Sequence, residues 1–220
     1  MQNGQSVADI QQAFFEYRAN FKEPIASLWF GGRQGEIINT VHKALSPWNV
    51  ALENISWNAA PKNLGELQLT FGVPSLLAGI QLGVGGLTLS AVNPDWSRAP
   101  QLMTLFQTGV DTLKDTVGQE FQSQQVTLAF HLKPGTKPFR EILSRFVDST
   151  ALGSEDAEMF GVSVYGRDSL FLIDGSSIVP GGVFIKLVRT FAATTRFEEM
   201  AGTIHSDEMA VLNRLGLKLK

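Results

Sequence analysis

Three histidines are the side chains best suited to acid–base or metal chemistry in this chain, which contains no cysteine: His42, His131 and His205. No two of them stand at the i, i+4 spacing or in the H-E-x-x-H pattern that places two imidazoles on one helix face for zinc. The absence of cysteine also excludes disulfides, thiolate catalysis and cysteine-ligated zinc. The sequence therefore predicts no local metal site and no cofactor.

His131 is the histidine most suited to contact a ligand. It alternates with Phe130 and Leu132 in an apolar strand, so its ring should face away from the core. We interpret it as a polar residue on an open sheet face, with a ligand or interface contact as the functional alternative. His205 begins the run His205-Ser206-Asp207-Glu208, which we interpret as a helix cap, because Ser-His-Asp triads are assembled from distant segments.

The glycines Gly83, Gly85 and Gly86 raise the possibility of a phosphate-binding loop. A dinucleotide fingerprint needs a third spaced glycine followed by a helix, and a P-loop needs Lys and then Ser or Thr. Neither is present, and alternating apolar residues flank the glycines on both sides. This pattern predicts a β-hairpin turned at Gly85-Gly86 with positive φ.

Other catalytic patterns are also missing. No G-x-S-x-G motif occurs, and Asp174-Gly175-Ser176-Ser177 is typical of a turn. Asp95 and Asp174 stand at strand ends, but no spacing brings the two carboxylates together. Trp96, beside Asp95, is the tryptophan we expect to be most exposed. The residues therefore favour a protein that is not an enzyme.

Composition narrows the class of partner. The chain has 220 residues, a net charge of −3 and only 18% charged residues. The lack of a basic cluster disfavours nucleic acid and a polybasic membrane surface. We expect a homo-oligomer, because the low charge leaves room for an oligomer interface. No signal-peptide pattern or membrane helix is evident, so we expect a cytoplasmic protein.

Helix and strand periodicities then give the elements that position these residues. Val7, Ile10, Phe14, Tyr17 and Phe21 predict a leading helix that Ser6 caps. The order strand–helix–strands–helix follows twice. The first set is a strand at 25–30, a helix at 34–45, strands at 50–57, 67–73, 80–84 and 87–91, and a helix at 97–117. The second is a strand at 126–132, a helix at 137–147, a polar loop at 153–158, strands at 160–165, 169–174 and 183–193, and a helix from Ser206.

This order predicts an α+β fold with an antiparallel sheet and helices packed on one face. We expect a duplicated β-α-β(3-4)-α unit, because the two halves repeat at a spacing of about 100 residues. The predicted domains are residues 1–120, with the leading helix and the first repeat, and residues 121–220, with the second. We expect the two to be fused in one compact unit.

Two resemblances accompany this organisation. The order of elements in the first half resembles the half-repeat of the TATA-binding-protein-like fold, in topology and without its basic surface. The stretch "IQLGVGGLTLSAVNPDW", a long helix and "QVTLAFHL" are similar to a sporadically distributed bacterial family of uncharacterised function. That resemblance spans about Leu64 to Leu132, and it implies a bacterial origin and no particular chemistry.

The sheet face that the helices leave open is thus the predicted site. A protein or peptide partner bound there is the first hypothesis. A small apolar ligand between sheet and helices is the second. A hydrolase-like enzyme with a site near His131 is the third. The candidate binding residues are Gln68, Thr70, Trp96, His131, Lys133, Tyr165 and Lys186, and Ser163 and Thr190 are expected on the same face.

Overall fold

The computed structural model describes residues 6–25, 32–58, 61–135, 139–143 and 161–220. Within these ranges the chain has ten strands and four α-helices. The helices are α1 (Gln34–Ala44), α2 (Ala99–Val117), α3 (Phe139–Leu143) and α4 (Phe197–Leu215). The strands are β1 (Ser6–Phe21), β2 (Ile55–Trp57), β3 (Gln68–Val73), β4 (Ala78–Gly83), β5 (Gly86–Val92), β6 (Phe121–Pro134), β7 (Gly161–Tyr165), β8 (Ser169–Gly175), β9 (Val183–Ala192) and β10 (Leu217–Leu219).

The strands belong to one sheet in the order β2-β3-β4-β5-β1-β6-β9-β8-β7, and β10 pairs with β1. The hairpin pairs from β2 to β5 and from β7 to β9 are antiparallel. Only β10 runs parallel to its neighbour among the described pairs, with Ser6 opposite Leu217. The predicted α+β fold with an antiparallel sheet is confirmed.

The chain divides into two compact units. Unit 1 consists of Met1–Phe14, Val126–Arg189 and Glu198–Lys220, and unit 2 consists of Phe15–Gln125 and Thr190–Phe197. The predicted domains, 1–120 and 121–220, differ from these units at the first fourteen residues, at residues 121–125 and at Thr190–Phe197. That the two halves of the chain arose by duplication stays a prediction.

In unit 2, α2 packs closely on the hairpin of β4 and β5. A side chain at Gly109 of α2 would bring its Cβ within 2.8 Å of Ile80 Cδ1 on β4, so the helix and the strand approach each other where the glycine stands. Gly118, with φ of 65°, ends the helix in the left-handed conformation. The apolar side chains buried in this unit include Leu69, Phe71, Ile80, Leu82, Leu87, Leu89, Leu105, Phe106 and Leu113.

A buried polar network holds three segments of unit 2 together. The Tyr17 hydroxyl on β1 donates a 2.6 Å hydrogen bond to Gln124 Oε1 on β6. The Gln124 amide nitrogen in turn lies 2.9–3.1 Å from the carbonyl oxygens of Ala192, Ala193 and Thr195, in the turn before α4. Burial raises the pKa of Tyr17, so its hydroxyl keeps the proton that it donates.

In unit 1, the inward side chains of the strands form a core with the apolar residues of α3 and α4. Arg189 on β9 and Asp207 on α4 form a bidentate ion pair, with nitrogen–oxygen distances of 2.7 and 2.9 Å. This pair fixes the helix to the strand at a partly buried position. The buried apolar residues include Leu128, Phe130, Leu132, Ile142, Leu143, Ile173, Val183, Ile185, Leu187, Met200, Ile204, Leu212 and Leu215.

The predicted leading helix is wrong, because Ser6–Phe21 is a strand. Buried positions fall on even numbers at Ala8 and on odd numbers at Ala13 and Tyr17, so the alternation shifts by one residue along the strand. Such a shift places apolar residues at both even-numbered and odd-numbered positions. Their spacing then resembles the 3.6-residue period of a helix. Sheet pairing therefore outweighs the local pattern.

The predicted start of the last helix at Ser206 is also wrong. The helix α4 begins at Phe197, with Glu198 and Glu199 in its first turn, where acidic side chains stabilise the positive helix end. Ser206 and Asp207 thus lie in mid-helix rather than at a cap. The prediction began the helix at Ser206 because a run of polar residues resembles a cap. These residues instead lie on the outer side of the helix, and Asp207 among them pairs with Arg189.

The glycine hairpin is confirmed, but its predicted turn is not. Gly83 pairs with Gly86, so Val84 and Gly85 form the turn, and neither has a positive φ. The requirement for glycine at position 86 is steric, because a Cβ there would collide with the carbonyl oxygen of Ala19.

Several other elements match within a few residues. The predicted strand at 50–57 is shorter, since a 3-10 turn at Leu52–Asn54 precedes β2. Four predicted segments lie wholly or partly outside the described residues: the strand at 25–30 beyond Ile25, the ends of the helix at 137–147, the loop at 153–158 and the first residue of the strand at 160–165.

The Tyr17–Gln124 bond should be visible in stability measurements. We expect Tyr17→Phe to lower the free energy of unfolding by about 1 kcal/mol, and Gln124→Leu to lower it by about 2 kcal/mol because the buried hydroxyl loses its acceptor. The double variant should lose less than the sum, because both changes remove the same bond. Urea unfolding of the four proteins measures this. Strictly additive losses would contradict the coupling.

Candidate functional site

Strand register brings four of the predicted site residues onto one face of unit 1. Tyr165 is opposite Leu170, and Leu170 is opposite Val188. Ser163 is opposite Leu172, which is opposite Lys186. Because directly opposed residues share a face, these side chains and those of Asp174 and Phe184 form one surface, which we call the unit 1 face. His131 on β6 joins it through its ring contact with Phe184, and Lys133, two residues further along the strand, lies on the same side.

Apolar side chains make up much of the unit 1 face. Leu170, Leu172, Phe184 and Val188 are all partly exposed, whereas Ile173 on β8 and Val183, Ile185 and Leu187 on β9, at the alternate positions, are buried in the core. Tyr165, at the end of β7, has 78% of its surface exposed. Partly exposed apolar residues around an exposed tyrosine are typical of a protein-binding surface.

Two lysines give the unit 1 face its charge. Lys186 is flanked on β9 by Phe184 and Val188, and Lys133 is exposed two residues beyond His131 on β6. In the part of the chain that the structure describes, neither ammonium group has a carboxylate within ion-pair distance. The Asp174 carboxylate accepts a 2.7 Å hydrogen bond from the N–H of Gly175.

The His131 ring is fixed by two neighbours. Its Nδ1 lies 2.8 Å from Ser176 Oγ, and its ring centre lies 4.6 Å from that of Phe184. Burial lowers the pKa of His131 below its usual value, so the neutral ring is favoured.

The Ser176 hydroxyl group uses both its lone pairs and its proton in hydrogen bonds. Oγ accepts from the backbone N–H of Val179 at 2.9 Å and of Ile178 at 3.3 Å. Both lone pairs are occupied in this way, so the hydroxyl proton is the one shared with His131 Nδ1. The Ser176–His131 pair therefore holds the turn after β8.

The remaining predicted site residues do not lie on the unit 1 face. Gln68 and Thr70 are on β3 in unit 2, where the Gln81 amide donates to Gln68 Oε1. Thr190, exposed on β9, also belongs to unit 2. The side chain of Trp96 lies outside the described part of the structure.

The prediction missed Leu170, Leu172 and Phe184, because its candidates for the open face in these strands were polar residues and tyrosine. A signal was present in "SLFLID", Ser169 to Asp174, where four apolar residues follow one another without alternation. Such a run indicates a strand that is apolar on both faces. The role of Ser176 gave no comparable signal, because its partners are distant in sequence.

Other polar groups serve the fold. His42 Nε2 lies 2.8 Å from the carbonyl oxygen of Val50. His205, exposed on α4, lies 3.3 Å from Glu208, whose pKa is raised by burial. Within the described residues, no three His, Asp or Glu side chains are grouped so that they could hold a metal ion. None of the described helices combines the length and the apolar character needed to cross a membrane.

The lowered pKa of His131 predicts a pH dependence of stability. Well above the usual histidine pKa of about 6.5, the ring is neutral in both states, and its full contribution is present. As pH falls from there toward the lowered folded pKa, the unfolded chain takes up the proton first, so the free energy of unfolding should decrease. His131→Gln should lack this part of the decrease in urea unfolding, and the control His205→Gln should keep it. Identical pH profiles for His131→Gln and the unchanged protein would contradict the assignment.

Comparisons with known proteins identify no family. No family model matches the chain, and no curated protein matches it. A solved structure of a rolling circle replication initiator protein from Geobacillus stearothermophilus is 7% identical, with a TM-score of 0.34 over 91% of this chain and 80% of that one. A structure of Ara h 8.0201 is 10% identical, with a TM-score of 0.18 over 93% of this chain and 95% of that one. Neither likeness supports an argument about fold or function.

Proposed function

We propose that this is a non-enzymatic binding protein, and that the unit 1 face binds a partner-protein segment that carries apolar and acidic residues. The observation that carries the proposal is the position of Lys186 between Phe184 and Val188 and opposite Leu172, on a face whose apolar side chains are partly exposed. A solvated sheet face would normally carry polar side chains here.

The aromatic residues support a protein partner. Tyrosine is among the residue types that contribute most to binding energy at protein interfaces, and Tyr165 is the most exposed large hydrophobic side chain of the unit 1 face, at 78%. Phe184 and the leucines beside it can be covered without loss of hydrogen bonds, because their side chains form none.

The lysines support an acidic component. Lys186 and Lys133 are positive, and no described carboxylate pairs with them. His131 adds no charge at neutral pH because its pKa is lowered. A glutamate or aspartate of the partner would neutralise Lys186 within an apolar surrounding, where ion pairs are screened less than on an open surface.

The two other functions considered from the sequence receive less support. Hydrolysis near His131 receives less support because Ser176 Oγ accepts hydrogen bonds from the backbone N–H groups of Ile178 and Val179, which make the oxygen less nucleophilic and hold it in its turn. An apolar ligand between sheet and helix in unit 2 lacks space where α2 meets β4, at Gly109 and Ile80.

Peptide selection tests the proposal. A displayed library of random peptides is selected on the immobilised full-length protein, and the enriched sequences are synthesised for titration. We expect enrichment of alternating apolar and acidic residues. Tyr165→Ala and Lys186→Glu should each weaken binding by about tenfold or more, as at interface hot spots. Added salt should weaken it as well.

Lys43→Glu, a charge reversal at an exposed residue of α1 in unit 2, is the matched control and should leave the peptide affinity unchanged. Enriched peptides without acidic residues, or peptides that bind Lys186→Glu and Tyr165→Ala as well as the unchanged protein, would refute the proposal. Self-association that those two variants abolish would instead identify the occupant as a second copy of the chain.

A further inference from the structure

The strand β7 has a described neighbour on one side only. It pairs with β8 along its whole length, Gly161–Tyr165, and no other strand in the part of the chain that the structure describes pairs with its outer edge. β2 and β10 also have one described neighbour each, but they are only three residues long. Very short edge strands offer few backbone groups to another chain. β7 is therefore the described edge with the greatest capacity to take up a further strand.

The register of the β7–β8 hairpin shows which backbone groups face this open edge. The Gly166 N–H donates a 2.8 Å hydrogen bond to the carbonyl oxygen of Ser169, next to the turn. Hydrogen-bonded and non-hydrogen-bonded residue pairs alternate along an antiparallel ladder, so Val164 and Val162 are bonded to β8. The N–H and C=O groups that point to the open edge belong to the alternate residues, Gly161, Ser163 and Tyr165.

The composition of β7 does not protect the open edge. Natural edge strands are commonly protected by charged side chains, proline or bulges. The sequence of β7, GVSVY, contains neither a charge nor a proline, and its pairing with β8 is continuous. Valine and tyrosine also favour strands. The open edge of β7 is therefore suited to pair with another strand.

The sequence of β7 is complementary to itself when two copies run antiparallel about Ser163. In that register Ser163 lies opposite Ser163 of the second copy, and Tyr165 lies opposite Gly161. The outward N–H and C=O groups of both strands then find partners, because the same alternate residues face outward in each copy. No like charges lie opposite each other, which would destabilise the pair.

Gly161 and Tyr165 make this register specific. A Cβ at Gly161 would lie 3.0 Å from the Asp174 carboxyl group and from the carbonyl oxygen of Ile173, so glycine fits best there and leaves the backbone bare. An aromatic side chain on the neighbouring strand can compensate for such a glycine at a sheet edge. A second copy would supply this contact twice, once on each side of the axis. The match favours a second copy over a segment of another protein.

We infer that two copies of the chain pair through the outer edge of β7, antiparallel and with Ser163 on the two-fold axis. Two-fold dimers are the commonest soluble oligomers, and their interfaces are self-complementary. Pairing of two short edges buries less surface than a standard interface of about 1,600 Å², so we expect a reversible dimer whose population rises with protein concentration. The pairing does not involve Lys186 and does not depend on the proposed function.

Exchange of charges at Ser163 tests this inference by sedimentation velocity of the full-length protein over a wide range of concentrations. Ser163→Asp and Ser163→Lys should each raise the dissociation constant of the dimer by about fivefold or more, because like charges then lie directly opposite each other. An equimolar mixture of the two variants should restore dimerisation, because each aspartate then lies opposite a lysine. Only a residue that faces itself across the axis gives this pattern.

Cross-linking gives an independent readout, since the chain contains no cysteine. Opposed residues of a hydrogen-bonded antiparallel pair have Cα atoms about 5.5 Å apart, which is within the range that a disulfide spans. Ser163→Cys should therefore form a disulfide-linked dimer under mild oxidation.

Ser206, exposed on α4 in unit 1, supplies the matched controls. The same aspartate and lysine substitutions there should leave the dissociation constant within about twofold, and Ser206→Cys should form no linked dimer. Lys186→Glu should also leave dimerisation unchanged, although it weakens peptide binding, so the two proposals can fail separately. Thermal unfolding verifies that each variant is folded. A chain that is monomeric at every concentration, a mixture of charge variants that stays dissociated, or loss of the dimer in Lys186→Glu would overturn the inference.

Discussion

Successive side chains of a strand point to opposite faces, and this constraint determines which residues of the protein can act together. In unit 1 it sends Ile173 and Ile185 into the core and Leu172 and Lys186 outward. Both sets are largely apolar, so the strands of this unit can bury both faces. The same constraint in unit 2 gathers threonine, glutamine and glycine on the outer side. Two chemically different surfaces thus arise from one secondary structure.

Polar groups inside the units are fully engaged in holding segments in place. Gln124 uses its oxygen for Tyr17 and its nitrogen for the turn before α4. Arg189 and Asp207 share two hydrogen bonds, and Ser176 uses its whole capacity within its own turn and on His131. These groups therefore determine how the segments of each unit are held together.

The sequence predicted the α+β class and most strands and helices, because those elements follow simple periodicities. It failed at β1, where a shift in alternation imitates a helix, and at the start of α4, where an internal ion-pair residue resembled a cap. Four site residues, His131, Lys133, Tyr165 and Lys186, were placed on one face by counting alternate positions. Leu172 and Phe184 were not found, because the count assumes that apolar residues point inward, and only strand register shows otherwise.

The hydrogen bond between Ser176 and His131 also determines whether the His131 ring can donate or accept a hydrogen bond on the unit 1 face. Since Nδ1 accepts the serine proton, the neutral ring carries its own proton on Nε2. The imidazole can then act toward a partner only as a donor. A carbonyl or carboxylate oxygen is compatible with it, whereas a lysine or arginine placed there would set two donors against each other. In the proposed interface, the tautomer set by the turn after β8 would therefore favour acceptor groups of the partner at this position.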